Sequence, residues 1–158
     1  MRESMIENAV REYTQMVLNI AYTYTKNSYD AEDIAQDVFL ALYKNIWKIN
    51  SEEYIKAWLI RVTINKSKNY MKTAWIRKRC EMPDMQRDMS SNKTGDLLHA
   101  VLSLDEKYKI PIYLMYYEGY SIKEIAKIIK IKPATVGTRL KRGREILKNI
   151  LGDDYFAE

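Results

Sequence analysis

Apolar residues recur along this chain at three- and four-residue steps, the repeat of a helix with one buried face. Over residues 5–25 the stripe is Met5, Ile6, Ala9, Val10, Tyr13, Met16, Val17, Ile20, Ala21 and Tyr24. A second stripe holds Ile34, Ala35, Val38, Phe39, Leu42 and Ile46. It follows SYDAED, where Asp30 is placed to cap and Asp33 sits three residues on, favourable at a helix N-terminus. A third stripe, Ile55, Trp58, Leu59 and Val62, follows the cap-like Ser51-Glu52-Glu53, and Trp58 is expected in the core. Alternation of period two is not sustained anywhere. Five glycines and three prolines are few for a turn-rich β protein, so the expected fold is all-α.

The pattern breaks at residues 80–95, CEMPDMQRDMSSNKTG, which hold Pro83, Gly95 and a Ser-Ser-Asn turn cluster. This predicts two small helical domains, 1–79 and 96–158, joined by a flexible linker over 80–95. Apolar order resumes at Leu97, Leu98, Val101 and Leu102, then at Ile112 to Tyr117, and stops at Glu118-Gly119. Ser121 and Glu124 have the spacing of a capping box, and Ile122, Ile125, Ala126 and Ile129 form the expected buried face behind it. After a three- to four-residue turn, Pro133 suits the first turn of a last helix. On that helix Val136, Leu140, Gly143 and Leu147 fall on one face, and Thr138, Lys141, Arg142 and Glu145 on the other.

Charge gives these helices a direction. The net charge of +5 is modest but unevenly spread. Residues 56–79 carry eight bases and no acid, residues 123–148 nine bases and two acids, and residues 27–53 six acids and two bases. Two separate basic stretches suit two contacts with a polyanion, and the acidic stretch suits something else. Two short helices with a tight turn, the second bearing bases and hydroxyls, form a helix-turn-helix with a recognition helix. Arg or Lys reads guanine acceptors in the major groove, and Thr meets base edges or a thymine methyl. The expected duplex contacts are Thr135, Thr138, Lys141 and Arg142, with Ser121, and with Lys132, Arg139 and Arg144 set to meet phosphates. An αα-hairpin inside a bundle is the plainer alternative. Gly137 costs this helix about 1 kcal/mol against Ala, unless it permits close approach to DNA.

The N-terminal half narrows the reading. DAEDIAQDVFLALYKNI followed by KAWLIRVTINKSKNYMK resembles region two of bacterial RNA polymerase sigma factors. Residues 102–147 look like region four, and the short linker is similar to that of the extracytoplasmic-function group. The resemblance covers roughly residues 10–150. It implies docking on the clamp helices of core polymerase through Asp33, Gln36, Asp37, Leu40, Tyr43, Lys44 and Trp47, although Asp33 also suits capping alone. It implies capture of the melted minus-ten strand by Arg61, Asn65, Lys66, Ser67, Lys68, Asn69 and Lys72. Tyr70 and Trp75 lie beyond them, and Trp75 equally suits the core, as Asn65 suits a cap. Asn and Ser offer donors and acceptors to a flipped base, and an exposed aromatic ring stacks on it. The recognition helix would then read the minus-thirty-five element. Core polymerase, promoter DNA as duplex and single strand, and an anti-sigma protein are the implied partners. Asp105, Pro111, Gly137 and Gly143 depart from the family's usual residues, and Pro111 is expected to kink its helix or mark its start.

Other classes fit less well. A helix-turn-helix regulator that binds duplex without polymerase is the main alternative, and a partner-binding bundle with no sequence-specific DNA contact is a third. No nucleophile–base pair, phosphate loop or ligand cluster marks an enzyme. One Cys (Cys80) and one His (His99) exclude an internal disulfide and argue against a zinc site, so neither metal nor cofactor is expected. No apolar run nears the roughly 20 residues of a membrane span, and the N-terminal MRESMIENAVREY is charged where an export signal is apolar. A cytoplasmic location is the expectation.

Overall fold

The computed structural model describes residues 2–49, 51–78, 97, 100–101 and 103–152, and of these the side chains of Arg2 and of residues 75–78 are left aside. The chain divides into two compact units, Met1–Met89 and Ser90–Glu158. Every regular element among the described residues is helical. The expected linker over 80–95, Cys80 and His99 lie outside the described residues.

The first unit contains α1 (Arg2–Thr25), α2 (Ser28–Asn45), a 3-10 turn (Ile46–Lys48) and α3 (Glu52–Lys78). The α1 stripe buries Val17, Ile20 and Ala21 against Ile34, Val38 and Leu42 of α2 and Ile55, Leu59 and Ile60 of α3. Each fully buried Leu or Ile contributes about 1.5–3 kcal/mol by leaving water. Val10 departs from its stripe and is exposed.

Two local expectations are corrected here. Asn27, not Asp30, caps α2: its Oδ1 accepts from the N–H groups of Tyr29 (2.9 Å) and Asp30 (3.1 Å). Lys26, at φ 52°, turns the chain so that Asn27 can reach them. The Asp30 carboxylate is thereby left to accept the Tyr70 hydroxyl from α3 at 2.6 Å. Tyr70→Phe removes this tie between α2 and α3 and is expected to cost about 1 kcal/mol, because the bond is charge-assisted but only partly buried. Thermal unfolding reads it as a fall of about 4–8 °C. An unchanged melting temperature would mean that solvent replaces the tie.

The second correction concerns α3. Its buried face holds Ile55, Leu59, Ile60, Thr63, Ile64 and Ser67, whereas Trp58 and Val62 are only half-buried. Thr63 can occupy the core because its Oγ1 donates to the Leu59 carbonyl at 2.5 Å. Ser51 caps this helix as expected, accepting from the Tyr54 N–H at 3.3 Å.

The second unit contains α4 (Glu106–Tyr116), α5 (Ile122–Ile129) and α6 (Pro133–Leu151), with helical Ala100 and Val101 buried ahead of them. Its core is built from Ile110, Ile112, Tyr113, Leu114, Ile125, Val136, Leu140 and Leu147. Pro111 lies inside α4 and does not mark its start, which is at Glu106. Gly119 makes the turn between α4 and α5 at φ +76°, a conformation that favours glycine.

Candidate nucleic-acid and partner surfaces

In the second unit the helix-turn-helix is built from its caps outward. Ser121 Oγ accepts from the Glu124 N–H (3.2 Å), and Glu124 Oε1 accepts from the Ser121 N–H (3.0 Å), so the capping box is closed. α5 then buries Ile125, Ala126 and Ile128. Ile122, expected on that face, is 37% exposed, because the face turns toward Ile128 instead. Lys130, in the left-handed region at φ 59°, stops the helix, and Pro133 opens α6 three residues later.

On α6, Val136, Leu140, Gly143 and Leu147 are all buried, as their spacing predicts. Thr138, Lys141 and Arg142 are exposed, as are Ser121 and Lys132, while Thr135, Arg139 and Arg144 are half-buried. Seven of these eight residues lie on α6 or, as Lys132, at its N-cap, whereas Ser121 caps the opposite end of α5, away from the α5–α6 turn. Thr138 donates to the Ala134 carbonyl (3.0 Å), which leaves its oxygen free to accept from a base. Arg144 donates through Nη1 to the hydroxyl of exposed Tyr116 at 3.3 Å. Behind it Tyr113 stacks on Tyr117 at 5.3 Å and donates to Glu118 Oε2 at 2.9 Å. Burial raises the Tyr117 phenol above its ordinary pKa.

The first unit presents two different faces. Asp33, Gln36, Asp37, Leu40, Tyr43, Lys44 and Trp47 are all exposed, and their three- and four-residue steps put them on one side of α2 and its 3-10 extension. Leu40, Tyr43 and Trp47 are 58%, 65% and 59% exposed, an apolar strip that begins where the acidic end stops. Trp47 donates through Nε1 to the Lys44 carbonyl (3.0 Å), and the Lys48 ammonium lies 4.9 Å from its ring. The tie fixes the indole without covering it.

On α3, Asn65, Lys68, Asn69 and Lys72 are exposed, and Arg61 and Lys66 half-buried. Ser67 does not join them. It is fully buried, its Oγ has no hydrogen-bond partner, and in this fold it cannot touch a DNA strand. The side chain of Trp75 lies outside those described. Sequence reasoning missed Tyr54, which is 47% exposed with the Arg61 guanidinium 5.8 Å from its ring centroid. The seven-residue step between the two, nearly two helical turns, was the signal.

Among the described residues no group of His, Cys, Asp and Glu is arranged to hold a metal ion, and no helix is long and apolar enough to cross a membrane.

Comparison with known proteins matches residues 9–77 to Sigma-70 region 2 and residues 94–147 to Sigma-70 region 4. The ECF RNA polymerase sigma factor SigW of Bacillus subtilis is 28% identical over 89% of this chain and 86% of its own length. The ECF RNA polymerase sigma-E factor of Escherichia coli is 24% identical over 89% of this chain and 83% of its own. Among solved structures, the sigma factor RpoE of Bartonella quintana, in complex with the anti-sigma factor NepR, superposes with a TM-score of 0.76. It shares 19% identity over 94% of this chain and 97% of that one, a likeness of fold.

Proposed function

Since the chain belongs to the sigma-70 family, as an RNA polymerase sigma factor of the extracytoplasmic-function group, we propose which of its residues do that work. The exposed side of α2 (Asp33, Gln36, Asp37, Leu40, Tyr43, Lys44 and Trp47) docks on core polymerase. The basic side of α3 (Arg61, Asn65, Lys66, Lys68, Asn69 and Lys72) holds the melted minus-ten strand. Helix α6, with Thr135, Thr138, Lys141 and Arg142, reads the minus-thirty-five duplex, while Lys132, Arg139 and Arg144 meet phosphates and Ser121, at the start of α5, adds a further duplex contact.

One observation carries this reading: the apolar strip on α2. The opposite side of that helix already fills the core with Ile34, Val38 and Leu42. Leu40, Tyr43 and Trp47 therefore lie outside that core, and a row of exposed large apolar side chains marks a protein partner. A duplex-binding regulator working alone has no use for such a strip beside a basic helix. In this reading the chain makes and breaks no covalent bond. It lends an address to the polymerase's chemistry and acts where the polymerase is, in the cytoplasm. An anti-sigma protein covering these surfaces would silence it, and the complex of the Bartonella quintana relative makes such a partner reasonable here.

Run-off transcription with core polymerase and a library of promoters tests the whole proposal. Added protein should redirect initiation to a defined promoter class. Initiation that does not change with the protein present would overturn the proposal. On a promoter so selected, Arg142→Ala is expected to lose about tenfold in upstream recognition, within the usual range for one base-reading arginine. Equal losses on selected and scrambled upstream sequences would make Arg142 a phosphate contact instead.

A further inference from the structure

Arg144 stands apart from the base-reading residues of α6. At about 100° per residue it lies roughly 60° around the helix from Lys141 and roughly 160° from Arg142, on a flank of the reading face. Lys148, exposed one turn later, lies roughly 40° from it, whereas Glu145 points roughly 100° away. α4 meets this flank. Tyr116, the last residue of α4 and 49% exposed, accepts from Arg144 Nη1 at 3.3 Å. That is the one side-chain hydrogen bond of either residue among the described residues, and it joins the guanidinium to a hydroxyl, not to a carboxylate. Glu118, two residues after Tyr116, accepts from Tyr113 at 2.9 Å. The positive charge of Arg144 is therefore left uncompensated, and the Tyr116 hydroxyl, having accepted, keeps its own proton to donate.

We infer that Tyr116 and Arg144 together clamp one backbone phosphate of the upstream duplex, the arginine through its N–H groups and the tyrosine through its O–H. The inference rests on the reading of α6 as the duplex-binding helix with Arg144 at a phosphate, and goes beyond it by adding a donor from α4. The geometry selects the occupant. A helix lying in a major groove turns its outer face to base edges and its flanks to the two walls of phosphates. Two neighbouring donors, one of them charged, suit the free oxygens of a phosphodiester, and charge-assisted bonds of this kind are the strong ones. The hydroxyl also fixes where the guanidinium points without cancelling its charge, as a carboxylate would. A purely structural role, in which Arg144 only settles at the C-terminal end of α4, where a cation is favoured, predicts a change in stability and none that depends on the charge of the DNA.

The test uses the full chain assembled with core polymerase and a promoter fragment taken from the run-off selection. Along each strand of the upstream element, one phosphate at a time is replaced by an uncharged methylphosphonate. The wild-type holoenzyme should lose about tenfold in affinity at one such position. Arg144→Ala should bind the unmodified fragment about tenfold more weakly, with a salt slope smaller by about one, and be indifferent to that same position. Tyr116→Phe keeps the ring and deletes only the hydroxyl. It should bind the unmodified fragment about fivefold more weakly and show a smaller penalty at the same methylphosphonate. If Tyr116→Phe binds like wild type, or keeps the full methylphosphonate penalty, the inference is overturned. Weaker assembly with core polymerase and unaltered DNA binding once assembled would place the pair on a carboxylate of the polymerase, and would overturn it as well. Arg144→Ala separates the two levels. Unaltered affinity and salt slope in that variant would defeat the phosphate reading of Arg144 itself. A loss there with none in Tyr116→Phe would defeat only the part assigned to Tyr116.

Discussion

Leu40→Glu is expected to weaken assembly with core polymerase by at least about 2 kcal/mol, some thirtyfold in affinity, while leaving the fold intact. Leu40 sits in the middle of the α2 strip, with Asp37 one turn before it and Tyr43 and Trp47 after. It is 58% exposed, so a glutamate there remains in water in the free chain and shifts stability by no more than about 0.5 kcal/mol. In a complex the same carboxylate is trapped against an apolar partner and loses its hydration. Asp37→Lys, at the acidic end, should impair assembly too, and more so at low salt, because a rim charge acts at longer range and is screened. Titration of labelled protein with core polymerase, beside a melting curve, reads both effects. Unchanged affinity in Leu40→Glu with unchanged melting would remove the strip from the docking surface.

The second large effect is expected at Gly143, on the buried side of α6. A Cβ built there lies 2.3 Å from Cδ1 and 3.3 Å from Cγ1 of Ile112, and 3.4 Å from Cβ of Tyr108. Ile112 is itself buried and has little room to retreat. The glycine thus sets how closely α4 and α6 approach. Gly143→Val should destabilise the second unit by about 3 kcal/mol, the upper end for overpacking a core. Gly143→Ala should do less, because the better helix former returns about 1 kcal/mol.

The atom in conflict suggests its own remedy. Ile112→Val deletes Cδ1, so Gly143→Ala/Ile112→Val should be more stable than the sum of the two single changes by about 1 kcal/mol. Additive losses would show that the backbone, and not Ile112, takes up the strain. Gly137→Ala is the internal control. A Cβ there meets nothing within 4 Å, so it should stabilise α6 by about 0.5–1 kcal/mol. The two glycines lie six residues apart on one helix, and only the packing of α4 makes them opposite in sign.

The seven residues that the resemblance assigned to docking all emerge on one exposed side of α2. That outcome was legible because α2 alternates cleanly between an apolar inner face and a mixed outer one. α3 was harder to read. Its apolar stripe pointed to Trp58 and Val62 as core, and the resemblance gave Ser67 to the strand-binding face, yet the core took Thr63 and Ser67 and left Trp58 half outside. Hydrophobic periodicity registers how much a side chain prefers to leave water. It does not register that a small hydroxyl can be buried between close helices when, as in Thr63, it bonds its own helix's carbonyl.

Local chemistry and tertiary packing thus divided the outcome between them. An all-helical chain, the Ser121–Glu124 capping box, the proline start of α6 and its buried face Val136–Leu140–Gly143–Leu147 followed from short-range rules. Each depends only on residues within a turn or two of one another. The use of Asp30 to hold Tyr70, the burial of Ser67, and the clash that keeps residue 143 a glycine were decided by the folded units. Those depend on which helices meet, how closely, and which atom of a distant residue arrives there, and no spacing along a single helix carries that information.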